Sequence, residues 1–319
     1  MEIIRCVDDI PELAGTVATI GSFDGIHRGH QALIRSCIRE AQVHDLPSVV
    51  ITFDPHPQEL LRNRDARPIR LLSGIDERAY LIEKYAPVDM LLVLDFTRGF
   101  SGMSADEFAE TVLEKGLQVK HLVIGYDHRF GHQREGDAVW LQERGEANGY
   151  SVTVLDPINN EAVPVSSTLI RDHIESDRLD LANAMLGHAY TLFGRVVRGK
   201  QRGQTLTFPT ANVAPNLDNK LIPNNGVYLS RVSTDSFVSF GMCNIGVRPT
   251  FNDVAEVTIE VNLFDIPEGE EDLYDRKVTM EFLQKLRDEK KFSSVDDLIK
   301  QLENDKKTCL AIIENYRDV

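Results

Sequence analysis

Short apolar runs alternate with amphipathic stretches through the first half of the chain. Val17–Ile20 reads as a strand, and the residues from His30 to about His44 as a helix. Ser48–Phe53 (SVVITF) and Met90–Leu94 (MLLVL) have the unbroken hydrophobicity of strands buried on both faces. Asp76–Tyr85, Ala105–Lys115 and Asp137–Asn148 have helical character, with Ser104 placed as an N-cap, while His121–Ile124 and Val152–Val154 are short strands. This alternation predicts an α/β fold: a parallel sheet with helices on both faces, binding ligands at the carboxyl ends of its strands.

Near Gly187 the pattern changes. Thr191–Arg198, Gly226–Ser233, Phe237–Asn244, Val254–Phe264 and Lys277–Phe282 read as successive strands separated by turn residues. That succession predicts a small antiparallel barrel. A closing helix from Ser294 to Tyr316 carries Val295, Leu298, Ile299 and Leu302 at helical spacing. The expected domains are therefore 1–186 and 187–319.

Composition narrows the class. The 319 residues allow two domains with proper cores, and 42% hydrophobic and 27% charged residues are ordinary for a soluble globular protein. No apolar run approaches the roughly 18 residues of a membrane helix, and the N-terminal MEIIRCVDDIPEL does not resemble a secretory signal. Cys6, Cys37, Cys243 and Cys309 are scattered without a CxxC pair, the pattern of reduced thiols. A cytoplasmic location is expected, without membrane partners. The formal charge of −15, from 35 basic and 50 acidic side chains, argues against a nucleic-acid partner. It leaves room for a small phosphorylated ligand held by a local cluster. Nothing in the sequence sets the oligomeric state.

Such a cluster stands at Gly21–His30 (GSFDGIHRGH), between the first strand and the first helix. Glycines thin the crossing, and free N–H groups and the helix dipole at a helix N-terminus suit phosphate. His27 and His30, three apart, share one helical face. The stretch predicts an ATP phosphate site, with Gly21, Phe23, Asp24, Gly25, His27 and His30 as candidates. A metal reading of the two histidines needs a third ligand, for which His56 is the nearby motif candidate.

GSFDGIHRGH resembles the His-x-Gly-His turn of the nucleotidyltransferase superfamily, and Ser166–Arg171 (SSTLIR) resembles a second element of it. Ile124–Asp137 (IGYDHRFGHQREGD) resembles a loop of bacterial FAD synthetases. Downstream, Phe208–Asn212 (FPTAN), Asn244–Phe251 (NIGVRPTF), Leu273–Asp275 and Leu286–Phe292 are similar, in order, to the riboflavin kinase module. Over nearly its whole length the chain thus resembles the bifunctional bacterial riboflavin kinase/FMN adenylyltransferase family.

The resemblance implies a Rossmann-like nucleotidyltransferase domain, then a riboflavin kinase-like β-barrel with a terminal helix. It implies ATP and Mg²⁺, with riboflavin, FMN and FAD as substrates and products. Ser167, Thr168 and Arg171 would hold the triphosphate, and Gly203 and Thr210 would bind ATP in the kinase half. Asp54, Arg129, Asp137 and Arg287 would contact flavin. Glu260 would be the kinase base, His27 and His30 the adenylyl-transfer residues, and Thr210 and Asn212 the Mg²⁺ ligands. The chain departs from the family at Gln204, where an arginine is usual, at Thr207, where a glycine is usual, and at His128, where a phenylalanine is usual. Two alternatives therefore stand beside the bifunctional reading: an adenylyltransferase with a weakened or inactive kinase, and a non-catalytic flavin-nucleotide binder.

Overall fold

Six parallel strands organise the first half of the computed structural model, which describes residues 1–62, 67–160, 163–198, 210–249 and 255–314. In chain order they are β1 (Glu2–Ile4), β2 (Thr16–Ile20), β3 (Ser48–Asp54), β4 (Met90–Asp95), β5 (Val119–Gly125) and β6 (Ser151–Leu155). The intervening helices are α1 (Arg28–His44), α2 (Pro57–Leu61), α3 (Ile75–Tyr85), α4 (Ala105–Phe108), which continues as a π-helix over Ala109–Gly116, and α5 (Ala138–Asn148). A two-stranded ribbon of β7 (Asn159–Asn160) and β8 (Val163–Pro164) follows.

The strand order is β1-β4-β3-β2-β5-β6, with every pairing parallel. The chain lays β3 and β4 to one side of β2, then crosses to lay β5 and β6 on the other. β2 and β5 are therefore the neighbours at which the winding reverses, where an open α/β sheet has its ligand crevice.

The strands are unbroken apolar runs because both faces are covered. On one face Ile20, Ile51, Leu92 and Leu122 pack with Phe108, Val112 and Leu141. On the other, Val50, Leu91 and Val93 pack with Ile34, Leu81 and Ile82 from α1 and α3. Burying each such side chain contributes about 1.5–3 kcal/mol before chain entropy is counted. Ser104 caps α4 as the sequence predicts, in a capping box closed by Glu107. β1 and α2 are additions to the sequence reading.

The chain divides into two compact units, Met1–Ser167 and Thr168–Val319. The second contains most of α6 (Ser167–Glu175), then α7 (Leu179–Leu186), six strands and a last helix. The strands are β9 (Tyr190–Val197), β10 (Ala211–Pro215), β11 (Gly226–Ser233), β12 (Val238–Pro249), β13 (Ala255–Leu263) and β14 (Lys277–Arg287). They close into a barrel in the order β10-β13-β12-β11-β14-β9. The sequence reading lacks β10. Its five residues begin inside the FPTAN motif and close the barrel by pairing with both β9 and β13.

Asn183 of α7 ties that helix to the barrel, donating to the Phe282 carbonyl at 2.9 Å and accepting from Tyr190 N at 2.8 Å. The last helix, α8 (Val295–Glu314), lies against β11 and β12 through Leu302, Cys309, Ile312 and Ile313. Its packing face is thus set further along than expected, and Val295 is exposed. No helix among the described residues is long and apolar enough to cross a membrane.

Candidate active sites

The loop after β2 is held in an unusual backbone path. Phe23 (φ 50°), Gly25 (φ 84°) and Ile26 (φ 42°) lie in the left-handed region. That conformation is costly for a β-branched residue such as Ile26, so the surroundings must hold it. They do so by burial and by hydrogen bonds from distant residues. Phe23 and Ile26 are in the core under the loop. The Asp24 carboxylate accepts from Leu72 N (3.1 Å), Ser73 N (2.7 Å) and Ser73 Oγ (3.1 Å), and Ser73 Oγ accepts from Gly25 N at 2.7 Å. Gln31 Nε2 donates to the Ile26 carbonyl, and Ser167 Oγ to the Asp24 carbonyl, both at 2.9 Å.

His27 is the N-cap of α1, its Nδ1 accepting from His30 N at 3.3 Å. The two imidazoles stack, with centroids 3.5 Å apart and planes 17° from parallel. Phe23 meets His30 edge-on at 5.1 Å. Gly29 permits the stack, since a Cβ there would lie 3.1 Å from His27 Cε1. Burial, helped by the neighbouring His27, Arg78 and His56, holds the His30 pKa well below its ordinary value. His30 is therefore a neutral imidazole at pH 7, and its buried Nδ1 has no hydrogen-bond partner among the described residues.

Arg78 of α3 is the residue that sequence reasoning missed. It is 1% exposed, and its Nη1 donates to the Ser22 carbonyl (2.9 Å), Thr52 Oγ1 (2.8 Å) and the Phe53 carbonyl (2.9 Å). One guanidinium thus clamps the carboxyl ends of β2 and β3 and places a positive charge near the histidine pair. Its position in the sequence, inside an ordinary amphipathic helix, gives no signal of this.

Above the strand ends lies a cavity of about 1430 Å³. That exceeds the roughly 300–1,000 Å³ usual for one small ligand. One part of its wall is polar: Gly21, His27, His30, His56, Ser166 and Ser167. Another is aromatic: Phe53, Phe96, Phe100, Phe108 and Phe130 form a chain of ring contacts 5.5–6.1 Å apart between centroids. These rings come from β3, the turn after β4, α4 and the β5–α5 loop, so sequence spacing does not reveal them as one surface.

Of the residues expected here, Gly21, Phe23, His27, His30, Arg129 and Ser167 line the cavity. Asp24 and Gly25 lie beneath it as braces of the loop. Asp137 caps α5 through Trp140 N (2.9 Å) and holds Arg129 Nη1 at 2.5 Å, so it reaches the cavity only through Arg129. Those two partners keep its carboxyl below the usual range. Asp54 ends β3, with its carboxylate 3.9 Å from Arg5 and outside the cavity wall. His56 is an N-cap for α2, accepting from Gln58 N at 3.2 Å, and also lines the cavity. His128 lines it too, stacked on Phe130, and burial pulls its pKa down to about 4. Thr168 and Arg171 lie on α6, in the second unit.

The barrel holds a second constellation. Glu260 on β13 is the register partner of Asn212 on β10 and of Asn244 on β12. Opposed residues share a face of the sheet, so these three side chains stand in a row. The adjacent row, Val213, Ile259 and Ile245, faces the other way and is buried. The row offers one carboxylate and two amide oxygens. With Thr210 just before β10, this donor chemistry fits a Mg²⁺ that keeps waters and phosphate oxygens as further ligands.

Arg287 is committed elsewhere. Its Nε and Nη2 contact the Asp305 carboxylate at 2.7–3.1 Å, tying β14 to α8, and Gln301 joins the same carboxylate at 2.7 Å. The guanidinium expected to meet flavin is thus a strut between strand and helix. Gly203, Gln204 and Thr207 lie outside the described residues.

Comparison with known proteins agrees with an α/β sheet followed by a closed barrel. Residues 9–169 match the family model for FAD synthetase and residues 186–313 that for riboflavin kinase. The bifunctional riboflavin kinase/FMN adenylyltransferase of Escherichia coli K12 is 38% identical over 312 residues, covering 97% of each chain. That of Haemophilus influenzae is 38% identical over 317 residues, covering 99% of this chain and 100% of its own. A crystal structure described as a macrolide-efflux protein from Streptococcus pneumoniae superposes with a TM-score of 0.84 at 32% identity, over 96% of this chain and 97% of that one. The chain belongs to the family of bifunctional riboflavin kinase/FMN adenylyltransferases.

Proposed function

We propose that this protein makes FAD from riboflavin in two ATP-dependent steps. The segment 187–319 phosphorylates riboflavin to FMN, and the segment 1–186 transfers AMP from a second ATP to FMN, releasing pyrophosphate. The observation that carries this reading is the match of both halves, in order, to the two family models.

Adenylyl transfer needs no protein nucleophile, because the attacking FMN phosphate oxygen is already ionised. What it needs is two anions held in line and charge stabilised on the α-phosphate and the leaving pyrophosphate. His27 and His30, at the N-terminus of α1, supply imidazole donors and the positive end of the helix dipole. His30 arrives neutral, so it approaches phosphate as an N–H donor and gains a proton more readily once the anion is bound. Ser167, Thr168 and Arg171 are assigned to the triphosphate, the arginine as a forked and permanently charged donor. The size of the cavity allows both substrates together, with the isoalloxazine ring against the phenylalanine wall and Arg129 near its polar edge.

Riboflavin phosphorylation starts from a neutral alcohol. Glu260 is the base that accepts the 5′-hydroxyl proton as the γ-phosphoryl group is transferred and ADP leaves. Thr210 and Asn212 would hold Mg²⁺, which when bound neutralises charge on the ATP phosphates.

The test is product analysis with riboflavin, ATP and Mg²⁺, alongside a reaction started from FMN. The expected result is FMN and then FAD from riboflavin, and FAD from FMN. FAD from the FMN-fed reaction alone would mark residues 187–319 as a degenerate kinase and point to Gln204 and Thr207 as the cause. Neither product would overturn the assignment.

A further inference from the structure

α1 begins at the histidine loop and ends at a second cluster of imidazole and carboxylate. Its last turns place Glu40 and His44 four residues apart on one face, with His44 Nε2 4.0 Å from Glu40 Oε2. β5 brings His121 alongside, its ring centroid 5.8 Å from that of His44. One donor atom from each of the three residues lies within 4.8 Å of the other two.

We propose that Glu40, His44 and His121 bind one divalent transition-metal ion of the zinc class, clipping the C-terminal end of α1 to the sheet. Two imidazole nitrogens and a carboxylate oxygen are a donor set suited to Zn²⁺, Co²⁺ or Ni²⁺, with water at the remaining positions. Mg²⁺, which favours oxygen and retains its waters, is the wrong ion for it.

The surroundings are those of a supported ligand. His121 is 8% exposed, and both its ring nitrogens meet hydroxyls: Nδ1 with Ser151 Oγ and Nε2 with Thr153 Oγ1, each at 2.8 Å. Whichever nitrogen takes the metal, the other can donate to its hydroxyl, which fixes the tautomer and the plane of the ring. The end of α1 also presents the negative pole of the helix dipole to a cation.

Donor atoms of a tetrahedral zinc site lie roughly 3.3 Å apart, given metal–ligand bonds of about 2.0–2.1 Å. The cluster must therefore contract by up to about 1.5 Å from its separations of up to 4.8 Å. Glu40 and His44, 33% and 47% exposed, are free to make that adjustment by side-chain rotation around the fixed His121. The site is far from the chemistry: the 17 residues of α1 separate it from His27 by about 25 Å. Binding there should stabilise the first unit without altering catalysis.

The experiment titrates full-length, nucleotide-free protein with Zn²⁺ in competition with a chromophoric chelator. Co²⁺ absorption reports the coordination, and melting is followed by fluorescence of Trp140, the single tryptophan. The expected result is one ion per chain, a melting temperature several degrees higher, and Co²⁺ bands without thiolate charge transfer. His44→Ala and Glu40→Gln should each weaken binding by about tenfold or more and leave FAD synthesis unchanged. Binding should survive His27→Asn, which disrupts the other imidazole cluster, and Cys6→Ser. Three results would each overturn the proposal: no ion bound below millimolar concentration, binding unaffected by His44→Ala and Glu40→Gln, or binding lost in His27→Asn.

Discussion

The two candidate sites are built by opposite means. The barrel row of Asn212, Glu260 and Asn244 sits on regular strands, and register alone brings the three together. The histidine site sits on a loop with left-handed residues, braced by hydrogen bonds from 48 to 56 residues away: Asp24 to Leu72 and Ser73, Arg78 to Ser22. A site written into strand register depends on few residues outside itself. A site on a strained loop depends on a buried polar network, and its activity should be vulnerable to substitutions that never touch substrate.

The sharpest separation is expected from Glu260→Gln. Removing a general base costs about 10²–10⁴ in rate, so riboflavin phosphorylation should fall by that factor while adenylylation of supplied FMN is unchanged.

Arg78→Met tests the other half of the comparison. It deprives the Ser22 and Phe53 carbonyls and Thr52 Oγ1 of a buried charged donor. The expected cost is about 3 kcal/mol or more in the stability of the first unit, read by Trp140 fluorescence in urea. FAD formation should fall with it and riboflavin phosphorylation should persist. Arg78→Lys should rescue part of the loss, because an ammonium keeps a buried charged donor for the acceptors that Nη1 serves.

His30→Asn should lower adenylylation by about 10²-fold, the usual loss for one preorganised donor to a developing anion. Stability at pH 7 should fall modestly, because the ring contacts with His27 and Phe23 are lost while a buried polar group remains.

The smallest effect concerns acid. His128 has its pKa lowered by burial to about 4, against about 6.5 unfolded. Between those values the unfolded chain binds a proton that the folded chain does not, so stability is complete above pH 6.5 and declines as pH falls towards 4. At pH 5 the loss is about 2 kcal/mol from this group. His128→Phe should remove that loss, and comparing the urea midpoints of the two proteins at pH 7 and pH 5 reads it directly.

The sequence disclosed the two architectures because their signals are periodic: buried runs alternating with helices, then strands with turns. It disclosed GSFDGIHRGH because glycines and histidines at a strand-to-helix crossing have few other uses. It did not disclose β10, whose five residues are too short to show a period. Nor could it show that Arg78 and the phenylalanines of four separate segments converge, because tertiary packing and not spacing brings them together. Asp24 and Arg287 illustrate the converse. Both look like ligands by residue type and motif, yet their charged groups are engaged within the protein, one bracing the loop and one holding α8.

The central claim is that each half carries one reaction with its own residues. The most direct test is a crossed product analysis, in which His30→Asn and Glu260→Gln are each fed riboflavin and, separately, FMN, with ATP and Mg²⁺. The account predicts that His30→Asn accumulates FMN from riboflavin and makes little FAD from either feed, while Glu260→Gln leaves riboflavin unconverted and makes FAD from FMN at the unmodified rate. Loss of both steps in either variant, or loss of the opposite step, would contradict it.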